Sequence, residues 1–131
     1  MYSDEHGSRR GPEAYLARIL VLDDEPMIRD FVGRALEAAG YEVVVLSPPF
    51  GAVELLADAH FDLVITNSIM PAAGGAQLVA QIRNEFPDVP VIHLDDQSHP
   101  LPPEFPTDVP MLEKPFSSVT LLREVARRLA R

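Results

Sequence analysis

The stretch Arg18-Ile19-Leu20-Val21-Leu22-Asp23-Asp24-Glu25-Pro26 runs from one base through four apolar residues into three acids and a proline. Four consecutive apolar residues without polar alternation mark a strand buried on both faces, as in a parallel sheet. The run stops at Asp23, where acids suit a helix N-terminus and Pro26 suits its first turn. Ile28, Phe31, Val32, Ala35, Leu36 and Ala39 then recur at helical spacing up to Gly40, which ends the helix. The stretch is therefore the first half of a strand-helix-strand unit, and the second strand follows at Tyr41 to Leu46.

Downstream the alternation repeats. Ser47-Pro48-Pro49 reads as a turn, Val53 to Ala59 as a short helix and Phe61 to Thr66 as the third strand. A helix opening at Ala73-Gly74-Gly75 carries Leu78, Ile82 and Phe86, and Val91 to Leu94 follows as the fourth strand. Strands alternating with helices predict right-handed crossovers and a parallel sheet covered on both faces. Between residues 95 and 110 the rhythm breaks, because prolines at 100, 102, 103, 106 and 110 stand where a helix is due. Each proline inside a helix costs about 3 kcal/mol, so an irregular loop is predicted there, with the fourth helix shortened or absent. Met111-Leu112-Glu113 gives a brief fifth strand. Ser117 or Ser118 caps a last helix whose Val119, Leu122, Val125 and Leu129 are predicted to face inward, with Arg123, Arg127, Arg128 and Arg131 outward.

The 131 residues make one domain's worth of chain, read as a flexible N-terminal tail over 1–16 and a folded domain over 17–131. The composition, 47% apolar and 24% charged, is that of a globular protein. No apolar run approaches the ~20 residues that cross a bilayer and the start lacks a signal-peptide pattern, so a cytoplasmic location is expected. A net charge of −9 argues against direct contact with a nucleic-acid backbone. With no cysteine, thiolate catalysis and cysteine-held zinc are excluded. Ten of the eleven basic residues are Arg, and the exception is Lys114, where a compact ammonium replaces a planar fork.

In open parallel sheets ligands gather at the carboxyl ends of the strands. Standing there are Asp23 and Asp24 after the first strand, Asn67 after the third, Asp95 after the fourth and Lys114 after the fifth. The paired acids could hold Mg²⁺ through oxygens, and the lysine could neutralise an oxyanion. Against this, Asp-Asp-Glu alone also reads as a helix-capping cluster. His93, two residues before Asp95, falls inside an apolar run and is read as a hydrogen-bonded core residue rather than a metal ligand.

VLDDEP, DLVITNSIMP with Gly75 shortly after, PVIHL, and EKPF before a terminal helix together resemble the receiver domain of bacterial two-component response regulators, over about residues 18–131. The resemblance implies a flavodoxin-like, doubly wound, five-stranded α/β fold. It also implies a Mg²⁺-binding acidic pair at Asp23 and Asp24, and the functional lysine at Lys114 with Pro115 and Phe116 behind it. Three positions depart together: the phosphoacceptor is Asn67, the switch hydroxyl is Asp95 and the aromatic partner is Met111. Because they depart together, Asn67 is read as natural rather than as an engineered or deamidating site. An amide cannot supply the carboxylate nucleophile that an acyl phosphate requires. The chain is thus expected to be a stand-alone atypical receiver and not an enzyme, binding a histidine kinase, another regulator or an output protein without aspartate phosphorylation. The alternative is a receiver that takes the phosphoryl group on another pocket acid such as Asp95. An ion pair between Asp95 and Lys114 is expected to fix the switch.

Overall fold

The structure, a computed structural model, describes residues 16–46, 51–67, 75–95, 97, 101, 103 and 105–130, without the side chains of residues 75–77. The turn at 47–49, the opening of the third helix at 73–74 and all but the last residue of the expected tail lie outside these. The element order is β1 Arg18–Leu22, α1 Pro26–Ala38, β2 Glu42–Leu46, α2 Ala52–Asp58, β3 Leu63–Asn67, α3 Gly75–Glu85, β4 Val91–Asp95, β5 Met111–Glu113 and α4 Ser118–Leu129. Five parallel strands form one sheet in the order β2-β1-β3-β4-β5. Such an order follows from crossover connections that fold helices onto both faces, and it reverses at β1, whose neighbours are β2 and β3. Among the described residues no helix is long and apolar enough to cross a membrane.

Side chains alternate across a strand, so each apolar run fills two cores. Ile19, Val21, Leu63, Ile65, Ile92, Leu94 and Leu112 pack with Val32 and Leu36 of α1 and with Leu121 and Val125 of α4. Leu20, Leu22, Val64 and Val91 pack on the other side with Leu56 of α2 and with Leu78, Val79 and Ile82 of α3. Fully burying side chains of this size contributes about 1.5–3 kcal/mol each, which is why the strand runs dominate the fold.

No helix forms among the described residues of the proline-rich segment. Phe105 and Val109 instead insert into the α2/α3-side core, and Arg83 of α3 clasps the Asp108 carboxylate with two hydrogen bonds of 2.6 and 2.8 Å. Those bonds hold the exposed Asp108 carboxyl below its ordinary range.

Ser117 caps α4, its hydroxyl accepting the Thr120 N–H at 3.1 Å. Val119 does not face inward: it is 62% exposed, and Leu121 occupies the core position with Val125. The helix begins at Ser118, and the inward stripe therefore runs through 121, 125 and the partly buried 122 and 129. The strands β3 and β4 each extend one residue past the apolar run, so that Asn67 and Asp95 are strand-end residues rather than loop residues.

Candidate functional site

Three segments deliver polar groups to the carboxyl edge of β1, β3 and β5. Asp23 leaves β1 fully buried, and its Oδ1 accepts the Glu25 N–H at 2.9 Å, which shapes the turn into α1. Arg29, one turn into α1, donates to the Asp23 carbonyl at 2.8 Å and holds the same turn from the other side. Glu25 occupies the N-cap position of α1 without making a side-chain cap, which leaves its carboxylate free to reach elsewhere.

It reaches Lys114. The ammonium donates to Asp23 Oδ2 at 3.4 Å, to Glu25 Oε1 at 3.2 Å and to Asn67 Oδ1 at 3.2 Å. The Lys114 side chain is 8% exposed and the Glu25 side chain 58%, so the lysine closes the pocket from within while Glu25 grips it from the rim. Burial lifts the Asp23 carboxyl above its ordinary value, a shift that the Glu25 N–H and the Lys114 ammonium offset only in part and that neighbouring Asp24 reinforces.

The expected ion pair between Asp95 and Lys114 is not formed. The two residues meet only through the backbone, Lys114 N–H donating to the Asp95 carbonyl at 2.8 Å. Asp95 is buried, and its Oδ1 accepts the Gln97 N–H at 3.0 Å, where the backbone turns through a positive φ of 63°. Strand parity explains the separation. Asp23, Asn67 and Lys114 continue the alternation of Val21, Ile65 and Leu112 on the α1/α4 side, whereas Asp95 continues that of Val91 and His93 on the other. His93 is a core residue as expected, 3% exposed with its ring 4.6 Å from that of Phe105, and burial holds its pKa below the ordinary value although Asp95 pulls it upward.

Asp24 is exposed beside this cluster, and Met111 is 44% exposed on β5. Glu25 is the partner that sequence reasoning missed. Its place in a run of acids reads equally as helix N-terminal charge, and only the turn held by Asp23 shows which way it points. Among the described residues no three His, Cys, Asp or Glu side chains are arranged to hold a metal by themselves. With the Asn67 amide oxygen added, the Asp23, Asp24 and Asn67 donors are all hard oxygens, a set that fits Mg²⁺. Along the outer side of α1, Met27, Phe31 and Ala35 line an apolar groove of about 500 Å³ that reaches Ser118 of α4, and the Phe31 ring meets that of Phe116 at a tilt of 52° with centroids 5.9 Å apart.

A flavodoxin-like sheet with an acid-and-lysine pocket at its carboxyl edge, on the side of α1 and the terminal helix, defines a signalling receiver. Comparison with known proteins agrees: the chain belongs to the response regulator receiver domain family, whose model matches residues 19–100. The response regulator receiver protein CpdR of Brucella abortus is 31% identical over 117 residues, 87% of this chain and 98% of the relative. The DNA-binding transcriptional regulator NtrC of Rhizobium meliloti is 32% identical over 122 residues, but there the chain spans only 24% of the relative. Among solved structures, the chemotaxis response regulator CheY4 of Vibrio cholerae superposes with a TM-score of 0.75 at 30% identity, covering 86% of this chain and 98% of the other. The response regulator TrrA of Thermotoga maritima, solved in complex with Mg²⁺ and BeF, gives 0.74 at 29% identity, covering 87% of this chain and 100% of the other. The chain is accordingly a receiver domain of two-component signalling, a system in which receiver domains interact with histidine kinases and other proteins.

Proposed function

We propose that this receiver is atypical: it signals by protein–protein interaction without aspartate phosphorylation and is not an enzyme. The observation that carries the reading is Asn67 at the end of β3, its amide oxygen held by Lys114 at 3.2 Å in the position where the family resemblance puts the phosphoacceptor. An amide there accepts a hydrogen bond but offers no carboxylate oxygen for attack on phosphorus. Taking the phosphoryl group on Asp95 is disfavoured, because that carboxylate is engaged by the Gln97 N–H and shares the parity of His93 rather than of Lys114. Mg²⁺, if bound, would be held by Asp23, Asp24 and Asn67 and would supply positive charge at the pocket mouth.

The partner is a protein, either a histidine kinase, another regulator or an output protein. Support comes from the exposed apolar side chains of Met27 and Phe31, 84 and 39% exposed, which line the groove on α1. Incubation with acetyl phosphate and Mg²⁺ followed by intact mass measurement tests the reading. An unchanged mass is expected for the wild-type chain and an added phosphoryl group for Asn67→Asp. Phosphoryl gain by the wild type overturns it.

A further inference from the structure

We propose that the outer face of α1 is the seam of a symmetric dimer, in which the groove is filled by a second copy of this chain with its α1 laid antiparallel. The proposal rests on the reading that the groove takes a protein, and it commits that protein to another copy of the chain.

The helix supplies the pattern. Residues four apart line up along a helix, so Met27, Phe31 and Ala35 form an apolar ridge and Asp30 and Arg34 form a charged ridge beside it. Both ridges turn away from the sheet, toward which Val32, Gly33 and Leu36 are buried. Met27, Asp30, Phe31 and Arg34 are exposed and Ala35 is half-buried. The Phe31 ring meets that of Phe116 at 5.9 Å, which holds the middle of the apolar ridge in place.

Symmetry is the second argument. A two-fold axis lying in the interface and crossing the helix near Phe31 turns α1 end for end while keeping each ridge against its own copy. Phe31 then meets the partner's Phe31, and Met27 lies over the partner's Ala35, a long flexible side chain against a small one. In the charged ridge Asp30 comes beside the partner's Arg34, and Arg34 beside the partner's Asp30. Opposite charges meet twice, and the positive end of each helix dipole lies by the negative end of the other. A parallel arrangement would set each charge level with its own kind.

The balance of charge favours this occupant over others. Asp30 and Arg34 pair within the chain at 2.8 Å while both stay largely exposed, so the ridge has no net sign with which to draw an acidic or a basic partner. An exposed pair contributes little, and its members turn to a neighbouring chain at small cost. The antiparallel copy matches both charges at once. One helix face is small against the ~1,200–2,000 Å² of a stable interface, so a weak, reversible dimer is expected.

Sedimentation equilibrium of the full chain tests this at about 0.15 M salt, where the −9 charge of each copy is screened beyond about 8 Å. The wild type is expected to climb from the 14.4 kDa of one copy toward double that mass as its concentration rises. A range of roughly 10 μM to 1 mM covers the affinity of a weak dimer. Met27→Lys, at a side chain 84% exposed, is expected to weaken association. The loss should be at least about tenfold, because a charge is buried against the partner's Ala35 and Arg34. Asp30→Arg makes the charged ridge wholly basic and Arg34→Asp makes it wholly acidic, and each alone is expected to stay monomeric. An equal mixture of the two is expected to regain double mass, because opposite ridges then meet. A merely structural role for these residues would give no such rescue.

A wild type that stays at single mass throughout overturns the proposal, and so does a dimer that Met27→Lys leaves intact. Self-association of either charge variant alone, or a mixture that stays monomeric, overturns it as well. Circular dichroism confirms the fold of each variant; should a charge variant lose its helices, the wild type and Met27→Lys decide. A wild type that stays single yet binds a histidine kinase through the groove keeps the protein-partner reading and sinks the dimer. Failure of the phosphorylation reading is seen in intact mass instead, so the two failures are distinct.

Discussion

Replacing Phe105 with alanine measures whether the proline-rich segment belongs to the fold. The ring is buried to all but 4% of its surface in the α2/α3-side core and lies 4.6 Å from the His93 ring. Moving a side chain of this size out of water contributes about 1.5–3 kcal/mol. An aromatic pair at this spacing adds about 0.5–1.5 kcal/mol, and the cavity left by incomplete collapse brings core Phe→Ala losses to about 3–5 kcal/mol. Against the roughly 5–15 kcal/mol that stabilises a domain, such a loss removes a large fraction. Urea unfolding followed by circular dichroism is the assay. With a slope of about 1–3 kcal/mol per molar urea, a loss of about 3–5 kcal/mol lowers the midpoint by about 2 M at the centre of both ranges, and by at least about 1 M, at unchanged slope. Phe105→Leu, which keeps most of the apolar volume, is expected to fall far less. A loss below about 1 kcal/mol for Phe105→Ala would show that the ring is not packed in solution, and with it that the segment does not replace the missing helix in the core.

Two further outcomes concern titration. Burial holds the His93 pKa below 6.5, so the unfolded chain binds a proton that the folded chain refuses, and stability is expected to decline as the pH falls below 6.5. His93→Leu should flatten that part of the profile of urea midpoint against pH, and identical slopes in the two proteins would refute the assignment. For Asp23 the sign is reversed: its folded pKa lies above 3.8, so its contribution is fully present below 3.8 and is lost as the pH rises through the raised value. Asp23→Asn, measured in chelator at neutral pH, is therefore expected to unfold at higher urea than the wild type. A lower midpoint would mean that the bond to Lys114 outweighs the burial of the charge.

The sheet was legible because its strands are continuous apolar runs, and Ile19 to Leu22 or Leu63 to Ile65 have no other way to be buried. The loss of the helix before β5 was legible too, since prolines state a backbone constraint directly. The inward stripe of α4 was shifted at its start. Val119 is as apolar as Leu121, and which of them faces the sheet depends on the angle at which the helix leaves Ser117, a tertiary matter.

In the site, membership was legible and partnership was not. The positions of Asp23, Asn67 and Lys114 at one sheet edge follow from where the strands end. That Lys114 chooses Glu25 over Asp95 follows from strand parity, which changes with a one-residue difference in where a strand is taken to stop. Sequence spacing placed Asp95 near Lys114, and the backbone bond between them agrees, but the side chains leave the sheet on opposite faces.

The three-residue strand β5 sits at the border of the sheet between Pro110 and Pro115, with Met111 and Glu113 exposed and only Leu112 buried. An open border of backbone donors and acceptors invites strands of other molecules, and the loss of a covering helix would ordinarily widen that invitation. Here the border is too short to seed a growing ribbon, and a proline at each end withholds the N–H that the next rung would need. Pro110, one of the prolines that cost the chain a helix, thus joins Pro115 in guarding the border against self-templated aggregation.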